Sequence, residues 1–182
     1  MRAIALSLLT LLSAGVVSAC STPPVTPIAG MMTRMRASSV GFEDLDGAPA
    51  SLDVALGHPV VLAFLGPDDG DSQADVPLLL RLAGAYEGEG LQVIAVGERA
   101  SVQALRDFQA SEQLTFPLWQ DPGAAEWSGR GFGTLPAFQF IDAQGGVQSS
   151  AQGFLSRGEL TAQIEALFGR GSTHRAGVSR AR

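Results

Sequence analysis

The sequence contains a single cysteine, two histidines and no lysine among its 182 residues. One cysteine excludes an intrachain disulfide, a redox-active Cys-x-x-Cys pair and any zinc site built from several cysteines of the chain. All twelve basic residues are arginine, which excludes a Schiff-base lysine and the lysine of a phosphate-binding P-loop. The formal net charge of −6 argues against a nucleic-acid partner, which needs a basic footprint.

Apolar residues are abundant by contrast, at 46% of the chain. This content excludes a fully disordered chain, and the length suits one ordinary domain with a substantial core.

The N-terminus has the pattern of a secretion signal. Met1-Arg2 gives a positive start, and the apolar run from Ala3 to Val17 is shorter than a membrane-spanning helix needs. The run ends at Val17-Ser18-Ala19-Cys20, which resembles the lipobox of bacterial lipoproteins. That resemblance implies cleavage before Cys20 and acylation of its thiol, which would leave the mature chain without a free thiol.

We therefore predict a lipoprotein signal peptide at residues 1–19, and a lipidated Cys20 followed by a flexible tether through residue 40. The lipid makes the membrane a partner and places the protein in the cell envelope. Ser21 favours the periplasmic face of the outer membrane if the cell has two membranes. Otherwise the location is the outer face of the cytoplasmic membrane. Residues 170–182 are basic and predict a disordered tail.

Strand and helix patterns alternate between these ends. Val60–Leu65 and Leu91–Val96 are continuous apolar runs, typical of strands buried on both faces, and helical spacing follows each of them. Hairpins are predicted at Asp46-Gly47 and at residues 142–146, and Ser156 opens a closing helix with a capping box. The order ββ-β-α-β-α-β-α-β-β-α predicts an α/β fold with helices on both faces of the sheet. Pro117 predicts that the strand near residues 116–119 lies at an edge.

Four segments in this order resemble the thioredoxin-like superfamily, in its envelope-tethered thiol-disulfide oxidoreductase and peroxiredoxin (redoxin) branch. The segments are FEDLDGAPASL, VVLAFLGP, FPLWQDPGAAEWSGRGFGTLPAFQFID and GGVQSSAQGFLSRGELTAQIEAL. The resemblance covers a domain at residues 41–169. It implies a thioredoxin-like fold with a central mixed sheet, helices on both faces and an N-terminal β-hairpin extension. It also implies that Pro136 is a cis-proline.

The sequence departs from this family at the catalytic cysteines. Aligning the strand VVLAFL and Pro77 with the family pattern puts Asp69 and Ser72 at the two positions of the Cys-x-x-Cys pair. Disulfide exchange and peroxide reduction both begin with a thiolate, which neither Asp nor Ser supplies. We therefore expect no catalytic residue in the chain, and we favour a protein that is not an enzyme.

Four aspartates crowd this loop and the start of the next helix: Asp68, Asp69, Asp71 and Asp75. Carboxylate oxygens suit hard cations, so a metal site is one interpretation. Helix capping is the other, because Asp near a helix N-terminus accepts from free N–H groups and complements the dipole. The spacing lacks the EF-hand pattern, so we favour capping and predict no metal or cofactor.

Five residues are candidates for an apolar groove beside the cis-proline loop: Gly66, Pro67, Phe132, Leu135 and Pro136. Thioredoxin-like proteins bind extended peptide beside this loop by backbone pairing, and the resemblance implies the same here. A groove that keeps this shape without thiols would bind the peptide without turnover. An equal alternative is that these side chains pack in the interior of the domain. Trp119 and Trp127 are predicted in the core.

Three functions follow from these observations. We predict a membrane-anchored thioredoxin-like lipoprotein that binds an envelope protein or peptide without redox activity. An alternative is an oxidoreductase or antioxidant protein of the same family that uses a non-thiol mechanism or a thiol from a partner. A purely structural spacer is the third.

Overall fold

The computed structural model describes residues 41–170. The predicted signal peptide, Cys20, the tether and residues 171–182 of the predicted tail lie outside the described residues. Within residues 41–170, no helix has the length and apolar character needed to cross a membrane.

Seven strands form one mixed sheet in the order β2-β1-β5-β4-β3-β6-β7. Their bounds are β1 (Phe42–Asp44), β2 (Pro49–Ala50), β3 (Val60–Leu65), β4 (Gln92–Gly97), β5 (Leu118–Gln120), β6 (Ala137–Ile141) and β7 (Val147–Gln152). Strands β3, β4 and β5 run parallel, whereas β1 and β6 pair antiparallel with their neighbours. This topology confirms the predicted α/β fold with its N-terminal hairpin.

The prediction of an edge strand near Pro117 is wrong. Strand β1 pairs with β5 and places Glu43 opposite Gln120, so β2 and β7 form the edges of the sheet. Pro117 precedes β5, where the missing N–H removes no bond from the ladder. Its carbonyl still accepts from the Ala95 N–H at 2.9 Å.

Four helices complete the element order, and their bounds are α1 (Gly70–Tyr86), α2 (Val102–Ser111), α3 (Ala125–Gly129) and α4 (Arg157–Leu167). Ser156 and Glu159 form the predicted capping box of α4. A 3-10 turn at Leu52–Ala55, which we did not predict, connects the hairpin to β3.

The core consists of two clusters, one on each face of the sheet. Successive residues of β3 alternate between them, as the period of a strand requires: Val61 and Ala63 join one cluster, and Leu62 and Phe64 join the other. Helices α1, α2 and α4 contribute to the first cluster. Helix α3 contributes Trp127 to the second, which also contains Trp119, so both tryptophans are buried as predicted.

Candidate functional site

A cleft of about 200 Å³ opens where the parallel strands β3 and β4 end. Carboxyl ends of parallel strands are the usual place for ligand sites in open α/β sheets. Its lining comes from three segments that follow β3, follow β4 and precede β6. The residues are Gly66, Pro67, Asp68 and Asp69 after β3, Glu98 and Arg99 after β4, and Leu135 before β6. The Leu135–Pro136 peptide bond beside the cleft is cis, in agreement with the family resemblance.

Asp69 and Ser72, at the positions aligned with the two cysteines, are bonded to each other. Asp69 is the N-cap of α1, and its Oδ1 accepts from the Ser72 N–H at 2.8 Å and from the Ser72 Oγ at 2.7 Å. The Ser72 Oγ in turn accepts from the Gly66 N–H at 3.1 Å, and the side chain is fully buried. The hydroxyl therefore joins the loop to the helix and is not presented as a nucleophile. For Asp69 the capping interpretation is confirmed.

The remaining three aspartates lie in different environments. Asp68 and Asp71 are exposed, whereas Asp75 is fully buried in α1. In the part of the chain that the structure describes, no three His, Cys, Asp or Glu residues lie close enough to hold a metal ion.

The structure brings together three of the five predicted groove residues. Gly66, Pro67 and Leu135 line the cleft, but the Leu135 side chain is only 6% exposed and also belongs to the second core cluster, so it packs internally as well. A Cβ at position 66 would lie 2.9 Å from the Leu135 Cδ1 atom, so glycine is needed for this close approach. Phe132 and Pro136 are buried and lie outside the lining, and the Phe132 ring packs 5.3 Å from the ring of Phe64. Phe132 thus supports the cis-proline loop from the interior.

The backbone of Leu135 offers one donor and one acceptor beside the cleft. Within residues 41–170, neither its N–H nor its C=O makes a hydrogen bond. The neighbouring groups are occupied: the N–H groups of Gly133 and Thr134 donate to the Gln152 Oε1, and the Pro136 C=O accepts from Gly153. A pair of free backbone groups in an otherwise bonded loop suits the addition of an extended segment.

Glu98 is a site residue that our reading of the sequence missed. It directly follows β4, its N–H donates to the Leu65 C=O at 2.8 Å, and its side chain is only 2% exposed. Among the described residues, its Oε1 has no hydrogen-bond partner. The sequence signal that could have indicated Glu98 is its position immediately after a buried parallel strand. Arg99 follows with a φ of 56°, and its guanidinium lies 5.8 Å from the centre of the Trp127 ring.

Glu98 faces a second buried carboxylate, that of Asp121. The two carboxylate oxygens of Asp121 accept from the N–H groups of Glu126 and Trp127, in the first turn of α3, at 3.1 and 2.7 Å. Burial, together with the charge and the hydrogen bond of Asp121, raises the pKa of Glu98 to about 8, against the opposing effect of Arg99. Glu98 is therefore mainly a neutral carboxylic acid at pH 7.

These buried acids predict a stability that falls as the pH rises. Burial also raises the pKa of Asp75 to about 6, against the opposing backbone of Leu155. A carboxyl with a raised folded-state pKa binds its proton more tightly in the folded chain. Its stabilising effect is complete below the unfolded pKa and is lost as the pH passes the folded pKa. We expect losses between about pH 4 and 6 for Asp75, and between about pH 4.5 and 8 for Glu98.

The variant Glu98→Gln isolates the second loss, because the amide imitates the protonated acid. The free energy of unfolding is measured in urea at pH 5 and pH 8.5 for the variant and the parent chain. Between these pH values, the difference between variant and parent is expected to shift in favour of the variant by on the order of 3 kcal/mol, at about 1.4 kcal/mol per pKa unit. An equal difference between variant and parent at both pH values would contradict the assignment.

Comparison with known proteins gives a consistent result. No protein-family model matches the chain. The thiol-disulfide oxidoreductase ResA of Geobacillus thermodenitrificans is 25% identical over 149 residues, which cover 78% of this chain and 86% of that protein. A crystal structure of a putative thiol:disulfide interchange protein DsbE from Chlorobium tepidum has a TM-score of 0.68 and 25% identity, covering 74% of this chain and 96% of that one.

A secreted Mycobacterium tuberculosis disulfide oxidoreductase, homologous to E. coli DsbE, has a TM-score of 0.62 and 25% identity, covering 74% of this chain and 98% of that one. The TM-scores of 0.68 and 0.62 agree with a shared fold. The chain therefore has a thioredoxin-like fold, and the homologue and structural neighbours named above are thiol-disulfide oxidoreductases of the ResA and DsbE type.

Proposed function

We propose that this chain is a membrane-anchored binding module of the cell envelope, which holds an extended peptide segment in its cleft and does not exchange disulfides. The observation that carries the proposal is the free backbone edge of Leu135 beside a cleft that contains no thiol. One segment added there would gain two backbone hydrogen bonds and contact the apolar walls formed by Pro67 and Leu135.

The chemistry of the cleft supports binding over turnover. Thiol-disulfide exchange passes through a mixed disulfide, which requires a sulfur nucleophile. At the aligned positions the chain has a capping carboxylate, Asp69, and a buried hydroxyl, Ser72, which are bonded to each other. Neither group forms a covalent bond to a substrate sulfur.

The envelope location rests on the sequence. The apolar run at the N-terminus and Cys20 after Val17-Ser18-Ala19 support a lipid anchor. One structural neighbour is described as a secreted protein, which agrees with this location. In a cell with two membranes, Ser21 favours the periplasmic face of the outer membrane; otherwise the anchor lies in the outer face of the cytoplasmic membrane.

Peptide binding is the measurement that tests the proposal. We expect an array of random 12-residue peptides to contain binders of the full chain, and Leu135→Ala to weaken their binding at least tenfold, or about 1.4 kcal/mol. Leu52→Ala is the matched control, because Leu52 is a leucine of the same core cluster with nearly the same burial, and it lies before β3, at the opposite end of that strand from the cleft. Circular dichroism of both variants checks that they are folded.

A second arm tests backbone pairing without altering the protein. N-methylation of the best-binding peptide, one residue at a time, is expected to abolish binding at the position whose amide bonds to Leu135. The proposal fails if no peptide binds above background, or if Leu135→Ala and Leu52→Ala bind the array equally.

A further inference from the structure

We propose that the cleft selects a lysine or arginine side chain on the bound segment. This inference rests on the proposed function, because it concerns the segment that pairs with Leu135. It adds a chemical class of partner: an extended peptide that carries a positive charge next to the paired residue.

The charges that line the cleft are mainly negative. Asp68 is exposed, and among the described residues its carboxylate makes no hydrogen bond or ion pair. The carboxylate of Asp69 accepts only from the neutral N–H and Oγ of Ser72. Its negative charge therefore has no counter-ion from that contact. The two carboxylates give the mouth of the cleft a negative potential that attracts cations.

Arg99 does not neutralise the carboxylates of Asp68 and Asp69. Its guanidinium lies over the ring of Trp127, which belongs to the second core cluster. In the described part of the chain, Arg99 forms no ion pair with Asp68 or Asp69. The cation on the wall of the cleft is thus held by an aromatic ring, and the two aspartates remain available to a cation from a partner.

The buried side chain of Glu98 is an independent indication of a ligand. It lines the cleft and also a neighbouring cavity of about 420 Å³ that Asp121 lines. A carboxyl oxygen buried without a partner is unfavourable, because it has lost its water and gained no hydrogen bond. A cationic donor above Glu98 would supply the missing hydrogen bond to Oε1, which a neutral carboxylic acid can also accept, and the low dielectric of the floor would strengthen it.

The walls of the cleft suit the stem of such a side chain. Gly66, Pro67 and Leu135 form an apolar border, whereas the carboxyl groups lie at the lip and the floor. Lysine and arginine bury their methylene stems along apolar surface and keep the charged head among polar groups.

The test uses the full chain and the best-binding peptide of the random array, remade with Lys, Arg, Gln or Glu at each position in turn. At one position we expect Lys and Arg to bind at least tenfold more tightly than Gln, and Glu to bind most weakly. Raising the salt concentration from 20 to 300 mM should reduce this preference, because the lip is exposed to solvent.

Three variants assign the preference to the cleft. Asp68→Asn is expected to reduce the ratio of Lys to Gln affinity, and the double variant Asp68→Asn, Asp69→Asn to abolish it, because it removes both charges of the mouth while Asn still caps α1. Glu87→Gln is the matched control, because Glu87 is an exposed acid just past the far end of α1, and its ratio should equal that of the parent.

The failures of the two proposals differ. Equal affinities for Lys, Gln and Glu peptides, with a loss of binding in Leu135→Ala, would overturn charge selection and leave the binding module intact. A Lys preference that survives the double variant would also overturn it, because the selecting charge would lie elsewhere. Absence of binding by every peptide would overturn both proposals.

Discussion

Replacing Asp69 and Ser72 together by cysteine is expected to create an intramolecular disulfide and to give the chain thiol-disulfide exchange activity. The Oδ1 of Asp69 and the Oγ of Ser72 are 2.7 Å apart, across the first turn of α1, so the two side chains already converge. Because the two positions are three residues apart across one helical turn and their side chains converge, we expect cysteines there to be close enough for a disulfide. A thiolate at a helix N-terminus is also stabilised by the dipole, which lowers its pKa and favours exchange.

The experiment is made in a chain that carries Cys20→Ser, so that the new cysteines are the only thiols. Thiol titration after mild oxidation should find no free thiol, and reduction of a disulfide substrate should exceed the parent rate at least 100-fold. The matched control pairs Asp69→Cys with Ala74→Cys, because residue 74 is exposed further along the helix and does not face residue 69. Two free thiols under oxidising conditions in the Asp69–Ser72 pair would contradict the alignment of the site.

Replacing Phe64 by alanine is expected to destabilise the domain by about 3–5 kcal/mol, the cost of removing a fully buried aromatic side chain. Phe64 lies in β3 with no exposed surface, and its ring packs 6.2 Å from Phe42, 5.8 Å from Trp127 and 5.3 Å from Phe132. The cavity left behind would remove the support of Phe132, and through it that of the cis-proline loop.

Urea unfolding followed by tryptophan fluorescence measures this loss. Phe154→Ala is the matched control, because the Phe154 side chain is 54% exposed and its removal should change the free energy of unfolding by less than about 1 kcal/mol. A loss of less than about 1 kcal/mol for Phe64→Ala would show that the second core cluster is not packed as described.

Local sequence signals were sufficient for most of the fold. The apolar runs that became β3 and β4, the hairpin turn at Asp46-Gly47 and the capping box at Ser156 all depend on residues close in the chain. The position of β5 could not be predicted from Pro117 alone. Whether a strand is an edge depends on what pairs beside it, and here that partner is β1, which is distant in sequence.

In the site, too, the residues that could be predicted depend on nearby sequence, and those that could not depend on tertiary contacts. The family alignment placed Asp69 and Ser72 at the start of α1, and their contact agrees with that placement. Phe132 was considered for the groove because it precedes the cis-proline loop, but its ring belongs to an aromatic cluster built from several elements. Glu98 was missed because a charged residue after a strand has the pattern of an exposed loop. Its burial beside Asp121 arises only when β4 and β5 are adjacent.

We propose that this thioredoxin-like cleft binds a partner segment and has no thiol chemistry of its own. Reduction of a disulfide substrate by the Cys20→Ser chain, with dithiothreitol as the reductant, tests both points in a preparation that still binds the array peptides. We expect a rate equal to that of dithiothreitol alone. A rate above that background, proportional to protein concentration and lost in Asp69→Asn, would show that the cleft has redox chemistry without a thiol.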